Sequence, residues 1–193
     1  MSNVSLMSIN NSSMKLIDIS PTISEKTAVF PGDQRFERQV SFSFAKGDHM
    51  DLSSMTTTLH LGSHADAPCH YLKSGPSVDE LDLLPYLGPC QVQTVTPARG
   101  QRISLADVSH LKLSAQRILF RTNSFPDPDQ WNNDFNSLSP ELIVFLNTLG
   151  VLLVGIDTPS VDPFDSKELE SHQALAKTNM RVLEGLCLQD VKD

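Results

Sequence analysis

Ser139-Pro140-Glu141-Leu142-Ile143-Val144-Phe145-Leu146-Asn147-Thr148-Leu149-Gly150 runs directly into Val151-Leu152-Leu153-Val154-Gly155-Ile156. Proline at the first helical position opens a helix there, and Gly150 closes it. The six residues that follow carry no polar side chain, as expected of a strand buried on both faces. A helix feeding a buried strand is the building unit of an α/β domain. Working outward, Arg117–Arg121 and Gln91–Val95 read as further strands, and Val182-Leu183 begins a last one. Ser104–Asp107 resembles a capping box, with Asp in place of Glu or Gln, for a helix to about Leu111. Ser166 to about Lys177 reads as another helix, and Ser77–Glu80 as a short one. The N-terminal part reads differently. Lys15–Ile19, Phe36–Phe44 and Leu52–Leu61 favour strands arranged as antiparallel hairpins, with Pro31-Gly32-Asp33 as a turn. Asn123–Ser137 reads as a long surface loop. Strands first, then helices alternating with strands, predict a single α/β domain with a mixed sheet over residues 14–193. Residues 1–13 are rich in Ser and Asn and read as a flexible leader, without the pattern of a secretory signal.

The chain has 193 residues, enough for one sizeable core. With 15 Lys and Arg against 23 Asp and Glu, its net charge is -8, which argues against nucleic acid or an anionic membrane as partner. No apolar run is long enough to span a membrane. Three cysteines, Cys69, Cys90 and Cys187, show no CxxC spacing and read as free thiols in a reducing cytoplasm.

One segment concentrates chemistry: His60-Leu61-Gly62-Ser63-His64-Ala65-Asp66-Ala67-Pro68-Cys69-His70. Imidazole and carboxylate are the usual catalytic ligands of zinc or manganese. Gly62 and Pro68 argue against a helix. In an extended chain, residues 60, 64, 66 and 70 all point one way. Cys69 reads as a small buried thiol rather than a ligand, and His49 and His110 as exposed or structural. A second group, His172 with Glu184 beyond the charged stretch Glu168–Glu170, stays open between a structural role and a ligand role on spacing alone. No Gly-x-Ser-x-Gly elbow of a serine hydrolase is present.

His-x-Gly-Ser-His-x-Asp-x-Pro-x-His resembles the signature of the cyclase family of metal-dependent hydrolases. Asp18-Ile19-Ser20-Pro21, Phe30-Pro31-Gly32-Asp33, Gly155–Pro163 and Leu183-Glu184-Gly185-Leu186 are similar to its bacterial kynurenine formamidase branch. The resemblance implies a swivelling β/β/α fold, a homodimer and a site for two metals, usually zinc. By motif position it implies His60, His64 and Asp66 as ligands of the first metal. Asp66 would bridge to the second, His172 would bind the second, and Glu184 would bridge both. His70 would be the general acid/base. The implied reaction is hydrolysis of N-formyl-L-kynurenine, a formyl anilide, to L-kynurenine and formate.

Two departures from the branch stand out. Where the formamidases carry a pocket tryptophan before Pro-Gly-Asp, this chain has Phe30, which keeps an aromatic face but has less area and no indole N–H. Family members also usually continue through another apolar strand beyond the equivalent of Asp193. These departures leave two alternatives: a family hydrolase opening a cyclic amide or lactone, and a non-catalytic protein that retains metal.

Overall fold

The computed structural model describes residues 15–193, so the leader at 1–13 lies outside the described residues. The strands are β1 (Glu37–Phe42), β2 (Leu52–Thr56), β3 (His64–Ala65), β4 (Gln91–Thr94), β5 (Arg102–Ile103), β6 (Arg117–Arg121), β7 (Ser137–Leu138), β8 (Leu153–Ile156) and β9 (Arg181–Glu184). The helices are α1 (Leu105–Val108), α2 (Pro140–Thr148) and α3 (Glu170–Thr178). Five strands form the central sheet in the order β3-β9-β8-β6-β4. Four run parallel, and β3 lies antiparallel to β9, so the sheet is mixed as the sequence predicts.

The apolar alternation of β6 and β8 builds two cores. Ile118, Phe120, Val154 and Ile156 face a cluster completed by Leu142, Ile143 and Leu146 of α2 and Leu175 of α3. Each such side chain contributes about 1.5–3 kcal/mol when fully buried. Leu119 and Leu153 face the other side and meet Val92, Leu186 and Leu188. Gly155 falls on that second side, where a Cβ would stand 2.6 Å from Leu119 and 2.8 Å from Leu186.

Helix α2 begins where Ser139 accepts the Leu142 N–H at 3.1 Å, a cap worth about 1 kcal/mol. The box at Ser104 forms as read, with its backbone N–H on Asp107 at 2.7 Å, although α1 ends at Val108 rather than near Leu111. Helix α3 begins at Glu170, four residues later than expected, because Leu169 turns left-handed (φ 48°) and the capping carboxylate comes from Asp162.

Two expectations for the N-terminal part and one for the loop after β6 are corrected. Lys15–Ile19 is not a strand. Its neighbour is the loop after β9, which gives it one ladder-like bond, Cys187 N–H to the Ile19 carbonyl at 2.7 Å. β2 stops at Thr56, since Thr58 turns inward and donates its N–H to Gln34 O at 3.1 Å. Asn123–Ser137 is not wholly superficial: Ser124, Phe135, Asn136 and Ser137 are buried, and Asn136 donates to the carbonyls of Ala98 and Gln101. Strands β1 and β2 do form the expected antiparallel hairpin, and every residue of both is exposed. No helix among the described residues is long and apolar enough to cross a membrane.

Candidate metal centre

The segment from His60 to His70 brings its side chains together by a route other than the one its even spacing suggests. Only His64-Ala65 is strand; His60 lies in a turn, and Pro68–His70 is a short 3-10 helix. Convergence depends on β3 pairing with β9, which sets His64 opposite Glu184. That pairing needs Gly185, at φ +66°, because a Cβ there would stand 2.2 Å from the Gly62 carbonyl.

Asp66 is the hub. Its Oδ1 lies 3.1 Å from His60 Nδ1 and 3.4 Å from His64 Nε2. Its Oδ2 lies 3.3 Å from His172 Nε2 and 3.9 Å from His70 Nε2. Glu184 repeats the division, with Oε2 3.5 Å from His64 Nε2 and Oε1 3.5 Å from His172 Nε2. Asp66, His172 and Glu184 are buried, while the His70 side chain is 43% exposed. All six residues expected as metal ligands or acid/base therefore meet at one place. His60, Asp66 and His70 offer ligand atoms mutually within 4.8 Å, and so do His64, Asp66 and Glu184.

The imidazoles are oriented from behind. His64 Nδ1 lies 3.0 Å from the Gly62 carbonyl and His172 Nδ1 2.8 Å from Asp162 Oδ2. Donation there turns each Nε2 inward, where it offers a lone pair once its own proton is lost. Asp162 is fixed in turn by the N–H groups of Ser171 and His172 and by Arg102 at 2.9 Å. One buried carboxylate thus caps α3 and sets the ring of the histidine two residues into it. Asp66 Oδ1, by contrast, is buried and accepts no well-formed hydrogen bond. A buried carboxylate oxygen faced by two imidazole nitrogens at 3.1 and 3.4 Å suits a divalent cation well and a hydrogen-bond network poorly.

The charges favour the same reading. Burial would raise the Asp66 carboxyl, but His172, His60 and His64 hold it far below the ordinary carboxylate range. Burial likewise opposes ionisation of Glu184, and His172 and His64 overcome it. Burial works against the protonated form of His64, yet Asp66 and Glu184 push it up to about 10; Asp162, Asp66 and Glu184 push His172 up to about 11. His70 goes the other way, lowered chiefly by burial. Without metal, protons on His64 and His172 balance the carboxylates.

That substitution has a consequence for stability. A histidine whose folded value exceeds its unfolded value stabilises fully below the unfolded value, about 6.5, and loses that contribution as pH rises through the folded value. Chelated protein is therefore expected to lose thermal stability between about pH 6.5 and pH 10–11. Metal-loaded protein, with cations in place of those protons, is expected to lose less. Melting curves with and without chelator across this range check it; parallel curves would contradict it.

Above the cluster opens a cavity of about 540 Å³. His60, Asp66, His70, His172 and Glu184 form its floor, and Phe30, Phe125 and Trp131 line its apolar side. Trp131 meets Phe30 edge-on at 5.3 Å, Phe125 at 5.7 Å and Phe135 at 5.9 Å, and Phe164 lies 5.2 Å from Phe30. Cys69 is exposed rather than buried, because the 3-10 helix turns it away from the core. Glu168 and Glu170 are exposed, and so, as read, are His49 and His110.

The family model Cyclase matches residues 17–163. This chain belongs to that family. Among curated relatives in the family, it is 38% identical over 181 residues to a kynurenine formamidase from Polaromonas naphthalenivorans, covering 93% of this chain and 80% of that enzyme. It is 39% identical over 180 residues to a kynurenine formamidase from Bordetella pertussis, covering 93% and 86%. A solved structure described as a potential metal-dependent hydrolase with cyclase activity superposes with a TM-score of 0.78 at 23% identity, covering 93% of this chain and 85% of that one. At that identity the superposition speaks for the cyclase-family fold alone.

Sequence reasoning missed two residues of the site. Asp162 stands in the Gly155–Pro163 block that carries the resemblance, but its bond to His172 depends on α3 folding back over ten residues. Trp131 lies in the stretch read as a surface loop. Its being the chain's one tryptophan, flanked by Phe125 and Phe135, was the available signal.

Proposed function

We propose that this protein hydrolyses N-formyl-L-kynurenine to L-kynurenine and formate, as a zinc-dependent homodimer in the cytoplasm, with residues 14–193 working as one catalytic domain. The observation that carries the reading is the division of Asp66 and Glu184, each with one oxygen toward His64 and the other toward His172. It supports two cations, one held by His60, His64 and Asp66 and one by His172, with Asp66 and Glu184 shared. The aromatic wall and the curated relatives support a formyl anilide as substrate. Three free cysteines fit a reducing compartment. The exposed apolar side chains of the β1–β2 hairpin, Val40, Phe42, Leu52 and Met55, offer a surface for a second copy.

Zinc, when bound, supplies a nucleophile from water near neutral pH and polarises the scissile carbonyl. The chain's own groups do the rest. Phe30 and Trp131 hold the aryl ring against the apolar side of the cavity. Asp66 and Glu184 keep the floor anionic in the ionised form that ligation requires. His70 is half-exposed beside Asp66 and lowered by burial, so its neutral form dominates at pH 7. It can take a proton from the attacking water and return it to the anilide nitrogen, which leaves poorly without one.

The test is kynurenine release by purified protein before chelation, after it, and after zinc is restored. Activity is expected to vanish with chelator and return with zinc. A folded, zinc-loaded sample that releases no kynurenine would sink the proposal.

A further inference from the structure

Phe30-Pro31-Gly32-Asp33 closes as a β-turn, with the Asp33 N–H on the Phe30 carbonyl at 2.9 Å and Gly32 at φ +96°. Proline second and a positive-φ glycine third are the signature of a type II turn. Phe30 and Asp33, both of which line the cavity, are therefore held at a fixed spacing by one turn. The turn is also tied to the floor. Thr58 donates its hydroxyl to Asp33 Oδ2 at 2.5 Å and receives the backbone N–H of His60 at 3.2 Å. Gln34 N–H binds Asp33 Oδ1 at 2.8 Å. Each oxygen keeps a further lone pair.

The other carboxylates lining the cavity are already engaged. Asp66 and Glu184 belong to the metal cluster, and Asp157 is held by Thr122 and Asn123. No lysine or arginine lines the cavity among the described residues, and residues 1–14 contain none in their sequence. The amino-acid end of N-formylkynurenine carries an ammonium and a carboxylate. Recognition of a carboxylate usually rests on the bidentate fork of an arginine. This cavity offers instead an anchored carboxylate beside the aryl wall, in a chain of net charge -8.

We propose that the cavity selects formyl anilides by a primary ammonium on the side chain, received by Asp33, and does not read the neighbouring carboxylate. This rests on the formyl-anilide reading above and narrows it. The substrate class is cationic formyl anilides, to which the α-carboxylate is incidental.

The experiment compares kcat/KM of the zinc-loaded full chain on three compounds: N-formylkynurenine, its decarboxylated analogue, and its desamino analogue. Removing the carboxylate is expected to change kcat/KM by less than about threefold, and removing the ammonium to lower it about tenfold, the scale of one charge-assisted hydrogen bond. In Asp33→Asn the preference for ammonium-bearing over desamino substrate is expected to shrink about tenfold. Asparagine can still pair with Thr58, whose hydroxyl can accept as well as donate, and circular dichroism and zinc content verify the fold. A desamino analogue turned over as well as the parent would overturn the inference, and so would an unaltered preference in Asp33→Asn. A tenfold loss on removing the carboxylate would overturn it too, placing a cation from a second copy at the cavity. Turnover of none of the three would instead bring down the formyl-anilide reading itself.

Discussion

Asp66→Asn is expected to cost about 10³-fold or more in kcat/KM, corresponding to several kcal/mol of lost charge stabilisation, and to lower the bound metal as well. The reason is positional. Asp66 alone places one oxygen against His60 and His64 and the other against His172 and His70. An amide of the same shape fills the space but carries no charge and turns an N–H₂ toward one pair of imidazoles. That side then has donors facing nitrogens that must be lone pairs to bind a cation. Glu184, the remaining shared carboxylate, already spends Oε1 on the Val161 N–H at 2.7 Å. Metal content by elemental analysis, read beside kcat/KM, checks the prediction. A variant with full metal and near-normal turnover would show that Asp66 does not hold the centre together.

The second large effect separates ligation from proton transfer. His70→Ala is expected to keep its metal and lose turnover by about 10²-fold or more, the usual contribution of a positioned acid/base. His70 is the most exposed of the cluster's four histidines, and its nearest carboxylate oxygen is 3.9 Å away, farther than for His60, His64 or His172. Because its value is lowered from 6.5, the neutral ring is lost only in acid. The wild-type rate should therefore fall on the acid side below about pH 6.5, and that limb should flatten in the variant. The ring also lies close enough to His60 and Asp66 to complete a ligand trio. Metal lost along with activity would make it a ligand instead.

The α/β character of the chain was legible because α2 and β8 are adjacent in sequence and uniform in pattern. The helix has its cap and stop, and the strand its apolar run. The first group of candidate ligands was legible because three of them and His70 fall within eleven residues. The reason for their convergence was not. Even spacing would aim them together along a continuous strand, whereas the chain turns at Gly62 and coils at Pro68, and the aim comes from pairing with β9. His172 and Glu184 could not be decided from spacing, since their meaning comes from α3 and β9 folding against a segment more than a hundred residues earlier. Asp162 escaped for a related reason: it acts across a loop, capping a helix that has no capping side chain of its own at Leu169. Lys15–Ile19 shows the converse error. Its pattern suits a strand, but the structure gives it a loop as neighbour.

The pairing of His64 with Glu184 would also set when the protein can acquire a metal during synthesis. A ribosome releases the chain from the N-terminus, so His60, His64 and Asp66 emerge long before their partners. Until β9 has left the exit tunnel, Asp66 has neither His172 nor Glu184, and β3 has no strand to lie against. Such distant pairing is slow to form and leaves exposed surface in the meantime. Zinc added to stalled nascent chains is expected to be captured firmly only once Glu184 is outside the ribosome, so that metallation waits for the second half of the site rather than following the first.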